Sequence, residues 1–223
     1  DNCPPDMIDF LCERFALDER QVFQVRGPVN LHRLMSLPNL IDRPELKDPP
    51  FAPRLETEFD PDENIFETIA QRGSVLLHHP YQSFMPVVDF IRQAADDPKV
   101  VAIKMTLYRT GRDSAIVDAL EAAARAGKEV TAVVELRARF DEQENINITT
   151  RLQKAGAYVA YGIVGYKTHA KMTLAVRRDG NRLKRFVHLG TGNYHPGTAR
   201  LYTDFGLMTD DRVVGEDVNK LFM

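Results

Sequence analysis

The sequence has few cysteines, no long apolar run and no large net charge over its whole length. The two cysteines, Cys3 and Cys12, have neither the number nor the spacing of a disulfide framework or a zinc site. No apolar run approaches the roughly 18 residues that a membrane span needs. A basic stretch followed by an apolar one, which would mark an export signal, is missing too. We therefore expect a cytoplasmic protein without a membrane span.

The composition is that of a folded domain. Hydrophobic residues make up 43% of the 223 residues and charged residues 27%, which excludes a disordered or fibrous protein. This length gives room for one full domain and part of another. The sequence begins at Asp1 without an initiator methionine and stops at Met223 just after an amphipathic run. We expect an internal piece of a longer protein.

Proline marks a boundary inside the chain. Six prolines occur between residues 38 and 61, a density that is incompatible with regular structure and typical of a linker. We therefore predict that residues 1–57 are the C-terminal part of a preceding domain plus a Pro-rich linker. Within them, the pattern predicts helices at 5–16 and 30–37 and a strand at 21–26. Residues 58–223 form the main domain in this interpretation.

Strands and helices alternate in the main domain. Apolar patterns predict strands at 75–77, 100–107, 130–136 and 158–163, and helices at 83–95, 114–126 and 145–155. Such alternation predicts an α/β fold with a mostly parallel sheet flanked by helices. After residue 165 the helices stop. Two further strands, at 169–177 and 184–189, flank Asp179-Gly180-Asn181, which is a strong signal for an antiparallel hairpin.

The hairpin carries the residues with the most telling chemistry. In its first strand the even-numbered residues 170–176 should face a core, whereas His169 and Lys171 should share the other face, roughly 7 Å apart. The pairing predicts that Gly190-Thr191-Gly192-Asn193 lies across from His169. Glycines let backbone N–H groups approach an anion, and Thr191 and Asn193 add side-chain donors. The combination indicates a phosphate site, against the alternative of a hydrogen-bonded core histidine.

Positive charge is concentrated in the same region. Residues 165–200 contain eight lysines or arginines and one acidic residue, Asp179, whereas the whole chain has a net charge of −3. Such a surplus indicates a polyanionic ligand, although a basic stretch can also be a solvated face.

Two levels of family resemblance rest on these residues. His169-x-Lys171 followed by Gly190-x-Gly192-Asn193 resembles the half-site of the phospholipase D superfamily, except that the superfamily's usual aspartate is replaced by Val176. Within that superfamily, the runs YKTHAK, HLGTGNYHPGTARLYTDFGL, YRTGRDS and ELRARFDEQENI resemble the polyphosphate kinases. The resemblance covers about Glu63 to the end, whereas residues 1–57 match only loosely. It implies a phospholipase D-like fold.

The resemblance implies a role for several residues. His169 would take the γ-phosphate of ATP as phosphohistidine, and Lys171 would offset charge on the phosphoryl oxygens. His188 is similar to a second histidine near the family's site. Tyr202 matches a position that contacts the nucleotide, where its ring could stack on adenine; the alternative is a core tyrosine. The reaction would be reversible transfer between ATP or ADP and inorganic polyphosphate.

Magnesium is implied as well. Arg109 and Arg139 follow successive predicted strands, at the edge where open α/β sheets bind ligands, and the family assigns these positions to the Mg²⁺ site. Because a guanidinium has no lone pair for a metal, we expect both arginines to hold phosphate oxygens beside Mg²⁺. The ion itself would be held by phosphates, water and a carboxylate such as Asp141. A salt bridge with a nearby glutamate is the alternative for Arg139.

Two other functions stay open at this stage. One is a phosphodiesterase or nuclease of the same superfamily, and the other is a non-catalytic polyanion-binding domain. The superfamily builds its site from two histidine half-sites, and no other histidine in this chain has a basic residue two positions later. The resemblance implies that the second half-site lies beyond Met223 and that the intact protein is a homo-oligomer, so we expect this fragment alone to be inactive. Nucleic acid is not an expected partner. The remaining histidines His78, His79 and His195 are interpreted as structural.

Overall fold

The structure is a computed structural model that describes residues 3–27, 29–49, 51–54, 59, 63–108, 114–135, 142–162 and 165–223. The chain divides into two compact units, Asp1–Phe51 and Ala52–Met223. The assignment of residues 1–57 to a preceding domain stays a prediction. None of the helices in the described parts of the chain is long and apolar enough to cross a membrane.

The first unit consists of short helical segments. Its helices are α1 (Pro5–Phe15) and α2 (Leu37–Leu40), with 3₁₀ turns at Glu19–Gln21, Leu31–Ser36 and Pro44–Leu46. The predicted helix at 5–16 is confirmed, and it ends where Ala16 adopts the left-handed conformation. The predicted helix at 30–37 is mainly a 3₁₀ turn. The predicted strand at 21–26 is wrong: residues 22–25 are irregular and exposed, because a strand needs a partner and none of the described residues pairs with them.

The second unit contains a seven-stranded sheet among the described residues. Its strands are β1 (Ser74–His79), β2 (Val100–Leu107), β3 (Glu129–Val134), β4 (Tyr158–Tyr161), β5 (Lys171–Asp179), β6 (Arg182–Gly190) and β7 (Asp204–Thr209). Its helices are α3 (Ile65–Arg72), α4 (Met85–Asp96), α5 (Ala115–Arg125), α6 (Glu142–Lys154) and α7 (Arg212–Leu221). The predicted α/β class is confirmed, and β2 has the predicted bounds.

Helix α3 is an element that the sequence reasoning missed. The Asn64 side chain accepts hydrogen bonds from the backbone N–H groups of Phe66 and Glu67, which caps the helix. Ile65, Phe66 and Ile69 are buried on one face. The signal was therefore present, as an asparagine followed by apolar residues with helical spacing.

The sheet is mixed. Its strand order is β1-β7-β6-β5-β2-β3-β4. The β2–β3 and β3–β4 neighbours are parallel, and the other neighbours are antiparallel. Strands β1, β2, β3, β4 and β6 nevertheless run in one direction. Strands β6 and β1 share this direction because the antiparallel strands β5 and β7 alternate with them. The expectation of a mostly parallel sheet therefore holds for strand direction but not for neighbouring pairs.

Both faces of the sheet are covered, so that the hairpin strands are buried on two sides. The larger core, which includes Phe66, Phe90 and Phe186, lies on the side of helices α3 to α6. A smaller cluster on the side of α7 is formed by Ala102, Leu174, Val176, Val187 and Val218. Ala175, on the face of β5 that was predicted to carry polar residues, belongs to the larger core. Burial on both faces fixes the position of β5 firmly.

Candidate active site

His169 lies in the loop that leads into β5 rather than in the strand itself. Its side chain is exposed, whereas Lys171 is the first residue of β5 and is only 7% exposed. The Lys171 ammonium donates a hydrogen bond of 2.6 Å to the backbone oxygen of His169. The prediction that both side chains stand on one regular strand is therefore wrong for His169. The lysine nevertheless lies directly beside it.

The backbone on either side of His169 is anchored. On one side, the Thr168 N–H donates to Glu135 Oε2 over 2.8 Å, and this glutamate is 6% exposed. On the other side, the Thr106 hydroxyl donates to the Ala170 oxygen over 2.7 Å. These contacts come from the carboxyl ends of β3 and β2. Two adjacent strands thus hold an exposed histidine in a fixed position, although sequence reasoning assigned no role to Glu135 or Thr106.

An aromatic ring and two lysines surround the imidazole. The Tyr108 ring centroid lies 5.6 Å from that of His169 in an edge-to-face arrangement. Lys167 Nζ and Lys171 Nζ lie 4.9 Å and 5.4 Å from the same tyrosine ring. The positive charge of Lys171 lowers the pKa of His169, with smaller contributions from partial burial and from Lys167. The imidazole is therefore neutral near pH 7, which leaves a lone pair available to attack phosphorus.

Burial lowers the pKa of Lys171 itself, and the Asp204 carboxylate partly opposes this effect. An ammonium that is desolvated in this way interacts more strongly with a nearby anion than a solvated one. A buried lysine beside an exposed histidine can therefore stabilise negative charge that arrives at the imidazole.

The hairpin ladder ends before it reaches His169. The turn is Gly180-Asn181, so that Asp179 pairs with Arg182 and Lys171 pairs with Gly190. Gly180 has a φ of +59°, a region that favours glycine. The predicted pairing of this glycine loop with His169 is not formed, because the ladder begins at Lys171. The glycine loop therefore begins beside Lys171.

Close packing explains the two glycines of this loop. A Cβ atom at Gly190 would lie 3.3 Å from His188 Cε1 and 3.7 Å from Lys171 Cβ. A Cβ atom at Gly192 would overlap the carboxylate of Asp204 and lie 2.9 Å from its Cβ. A side chain at Gly192 would therefore force Asp204 to move, and one at Gly190 would be in tight contact with its neighbours.

Thr191 makes hydrogen bonds within the protein. Its hydroxyl donates to Asp204 Oδ1 over 2.8 Å, and its N–H donates to the Phe205 oxygen over 2.9 Å. The expectation that Thr191 offers its hydroxyl to an anion is contradicted by these bonds. Thr191 instead ties the glycine loop to β7.

His188 is buried beneath the loop. It is 2% exposed, and its Nδ1 lies 2.8 Å from the Tyr194 hydroxyl. Tyr194, 2% exposed itself, also accepts a hydrogen bond of 2.9 Å from Thr173. Burial lowers the pKa of His188 to about 3, with a smaller contribution from His79. His188 is therefore neutral at any physiological pH, and it does not share the exposed position of His169.

Tyr202 is exposed, whereas His195 accepts a hydrogen bond within the protein. The Tyr202 side chain is 62% exposed, so the alternative of a core tyrosine is wrong and the ring is accessible for stacking. His195 Nδ1 accepts a hydrogen bond of 3.0 Å from the Thr198 N–H, where it supports the short turn Thr198–Arg200.

The basic residues do not converge on His169. Arg177 is paired with Asp97 at 2.7 Å, and Lys184 is paired with Asp210 at 2.7 Å. Arg178 and Arg182 adjoin the hairpin turn. Arg178 is seven residues from Lys171 and Arg182 is eight residues from Gly190, a distance of roughly 25 Å along the strands. The charge surplus of residues 165–200 is therefore spread along the hairpin, with Lys167 and Lys171 at the histidine end.

The predicted magnesium residues Arg109 and Arg139, together with Asp141, lie outside the described residues. Among the residues that are described, no group of three or more histidine, cysteine, aspartate or glutamate side chains could hold a metal ion. The magnesium site therefore stays a prediction.

The chain is similar in sequence to known polyphosphate kinases. The family described as "Polyphosphate kinase C-terminal domain 1" matches residues 64–223. The polyphosphate kinase of Xylella fastidiosa (strain 9a5c) is 57% identical over 223 residues, which are 100% of this chain and 31% of that protein. A polyphosphate kinase of Pseudomonas aeruginosa is 55% identical over 222 residues, 100% of this chain and 32% of that protein. The chain thus spans about a third of the length of these curated relatives.

Solved structures show the same relationship. The polyphosphate kinase of Porphyromonas gingivalis superposes with a TM-score of 0.71 and 34% identity, over 99% of this chain and 35% of that one. Nuc of Salmonella typhimurium, a phospholipase D family member, gives a TM-score of 0.52 at 17% identity, over 67% of this chain and 90% of that one. The second likeness concerns the fold alone and confirms the expected phospholipase D-like architecture. On the strength of its match to residues 64–223, the chain belongs to the polyphosphate kinase family.

Proposed function

We propose that this chain supplies one half of the active site of an ATP:polyphosphate phosphotransferase, with His169 as the residue that carries the phosphoryl group. The observation that carries the proposal is the environment of His169. Its ring is exposed and favoured in the neutral form, its backbone is anchored on both sides, and the buried Lys171 ammonium lies next to it. These are the features of a positioned nitrogen nucleophile.

The proposed reaction has two steps. In the first, an imidazole nitrogen of His169 attacks the γ-phosphorus of ATP, so that an N–P bond forms, the P–O bond to the β-phosphate breaks and ADP leaves. In the second, a terminal oxygen of polyphosphate attacks the same phosphorus, the N–P bond breaks and the chain is longer by one phosphate. Because the N–P bond keeps a high transfer potential, the sequence runs in both directions.

Other residues support these steps. Lys171 offsets the charge on the phosphoryl oxygens, since such transfers depend mainly on positioning and electrostatics. Gly190 pairs with Lys171, so the backbone of the glycine loop is expected to lie beside the transferred phosphate, and Thr191 holds this loop in place. The exposed ring of Tyr202 stacks on adenine. His188 acts in this proposal as a positioning residue beneath the loop, because its burial keeps it away from an incoming phosphate.

The complete protein is part of the proposal. Mg²⁺, with Arg109 and Arg139 on phosphate oxygens, stays a prediction, and no step above depends on it. We propose that the second histidine half-site is supplied by residues outside this chain, that the complete protein is a cytoplasmic homo-oligomer, and that this chain alone makes no polymer. The last statement would be contradicted if two copies of this chain associated, paired their His169 side chains and made polymer from ATP.

The test is labelling with ATP that carries radioactive phosphate at the γ position. The full-length protein of which this chain is proposed to be a part should form an acid-labile, alkali-stable phosphoenzyme, and His169→Ala should abolish it. His32→Ala removes an exposed histidine in the first unit and serves as the matched control, which should keep the label. Label that persists in His169→Ala would place the nucleophile elsewhere.

Two alternatives are separated when the labelling assay is combined with an assay for hydrolysis of an activated phosphodiester. The likeness to Nuc favours a phosphodiesterase as a second candidate. Such an enzyme would hydrolyse an activated phosphodiester without taking label from ATP. A non-catalytic polyanion-binding domain would bind polyphosphate and show neither reaction.

A further inference from the structure

A small cavity lies behind the glycine loop, between strands β1, β6 and β7. Its lining includes His79, His188, Asn193 and Gly206. It offers about 10 Å³ to a water molecule, which is close to the smallest volume, roughly 10–15 Å³, that holds one water. The cavity is therefore too small for a nucleotide or a phosphate.

Three buried polar atoms lie around this cavity without a hydrogen-bond partner in the part of the chain that the structure describes. They are His79 Nε2, His188 Nε2 and Asn193 Oδ1. His79 and His188 are 3% and 2% exposed. The position that a Cβ atom would take at Gly206 lies 2.8 Å from His188 Nε2 and 3.5 Å from His79 Nε2. Both nitrogens therefore approach the same point beside Gly206.

The other nitrogen of each ring indicates where the proton lies. His79 Nδ1 is 2.9 Å from the backbone oxygen of Gln82. A carbonyl oxygen only accepts, so the proton of His79 is on Nδ1 and its Nε2 presents a lone pair.

The proton of His188 follows from Tyr194. The tyrosine oxygen already accepts the hydroxyl proton of Thr173. Its own proton has two possible acceptors, His188 Nδ1 at 2.8 Å and the His188 backbone oxygen at 3.5 Å. The shorter contact makes the better hydrogen bond. His188 Nδ1 is therefore an acceptor, and its Nε2 carries an N–H that points into the cavity.

We propose that the cavity binds one buried water molecule that joins His188, His79 and Asn193. The water accepts the Nε2–H of His188 and donates its two protons to His79 Nε2 and Asn193 Oδ1. One donor and two acceptors match the hydrogen-bonding capacity of a single water, and native proteins commonly satisfy such buried groups in this way.

This water site has two consequences. It ties the edge strand β1 to β6 and to the glycine loop, so His79 is a positioning residue and not only a packing one. It also leaves His188 without a lone pair for phosphorus, because one ring nitrogen accepts from Tyr194 and the other carries a proton. Neither consequence depends on the proposed reaction.

The test is NMR of this chain with ¹⁵N-labelled histidine. Long-range ¹H–¹⁵N correlations distinguish the two neutral forms of each ring. The expected result is a proton on Nδ1 in His79 and on Nε2 in His188, with a rotating-frame cross-peak between the His188 Nε2 proton and a long-lived water. A proton on Nδ1 of His188 would overturn the proposal. So would an Nε2 proton that shows no contact with water, or one that exchanges too fast to be observed.

Two variants complete the design. His79→Phe removes one acceptor and should abolish the cross-peak between water and His188. His78→Phe is the matched control, because His78 precedes it on β1 and stacks on the Phe205 ring at 4.6 Å instead of lining the cavity. The control should keep the cross-peak, and its loss in both variants would count against a specific water site.

Discussion

Acidification should destabilise the second unit through one buried histidine, His188. Its pKa falls from an ordinary 6.5 to about 3, mainly because burial disfavours the charged ring. The unfolded chain therefore binds this proton more tightly than the folded chain does. Stability is complete above about pH 6.5 and is lost progressively as the pH falls towards about 3.

The size of the effect follows from the difference between the two pKa values. At about pH 5 the protonated form of the unfolded histidine outnumbers its neutral form by about 30 to 1, while the folded histidine is still neutral. This difference lowers the free energy of unfolding by about 2 kcal/mol. At about pH 7.5 only about one-tenth of the unfolded histidine is protonated, so almost none of this stability is lost. His188 is 2% exposed, so solvent screening does little to reduce this figure.

The assay is urea-induced unfolding, followed by circular dichroism, at about pH 7.5 and about pH 5. His188→Asn cannot take up the proton but keeps a polar atom near Tyr194. It should be less stable than the parent at neutral pH, and on acidification it should lose about 2 kcal/mol less. His32→Asn, which changes an exposed histidine, is the control and should behave like the parent. An equal loss of stability in His188→Asn and the parent would refute the reasoning.

Two further substitutions test the supports of the site. Glu135→Ala leaves the Thr168 N–H without its acceptor, so it should cost on the order of 1–3 kcal/mol in urea unfolding and lower the phosphoenzyme yield of the full-length protein. Glu135→Gln, which keeps an acceptor oxygen, should restore most of the stability and of the labelling, and an unchanged yield in Glu135→Ala would count against this anchor. Gly192→Ala places a methyl group against Asp204, and this overpacking should lower the free energy of unfolding by about 1–3 kcal/mol; a variant as stable as the parent would show that the loop yields instead.

Local patterns determined much of the second unit. The apolar run at 100–107 predicts β2, and capping and helical spacing predict α4, α5 and α6 to within a few residues. The Asp-Gly-Asn signal predicts the hairpin, because a turn of this kind depends on the residues that form it. The segment between Tyr166 and Tyr202 predicts the family and the placement of Lys171 beside the glycine loop. Each of these features depends on residues that are close together in the sequence.

Tertiary structure decided what depends on distant partners. The pairing of β1 with β7 joins Ser74 to Thr209 and extends the antiparallel part of the sheet, and no local pattern specifies such a partner. The same pairing brings His79 towards His188 and buries both, whereas His169, with a similar local setting, stays exposed. Whether a histidine is solvated or buried depends on the groups that pack around it, and these come from elsewhere in the chain. The sequence therefore indicated which residue types the site needs, and only the packing of β1, β6 and β7 distinguished the exposed nucleophile candidate from its buried neighbour.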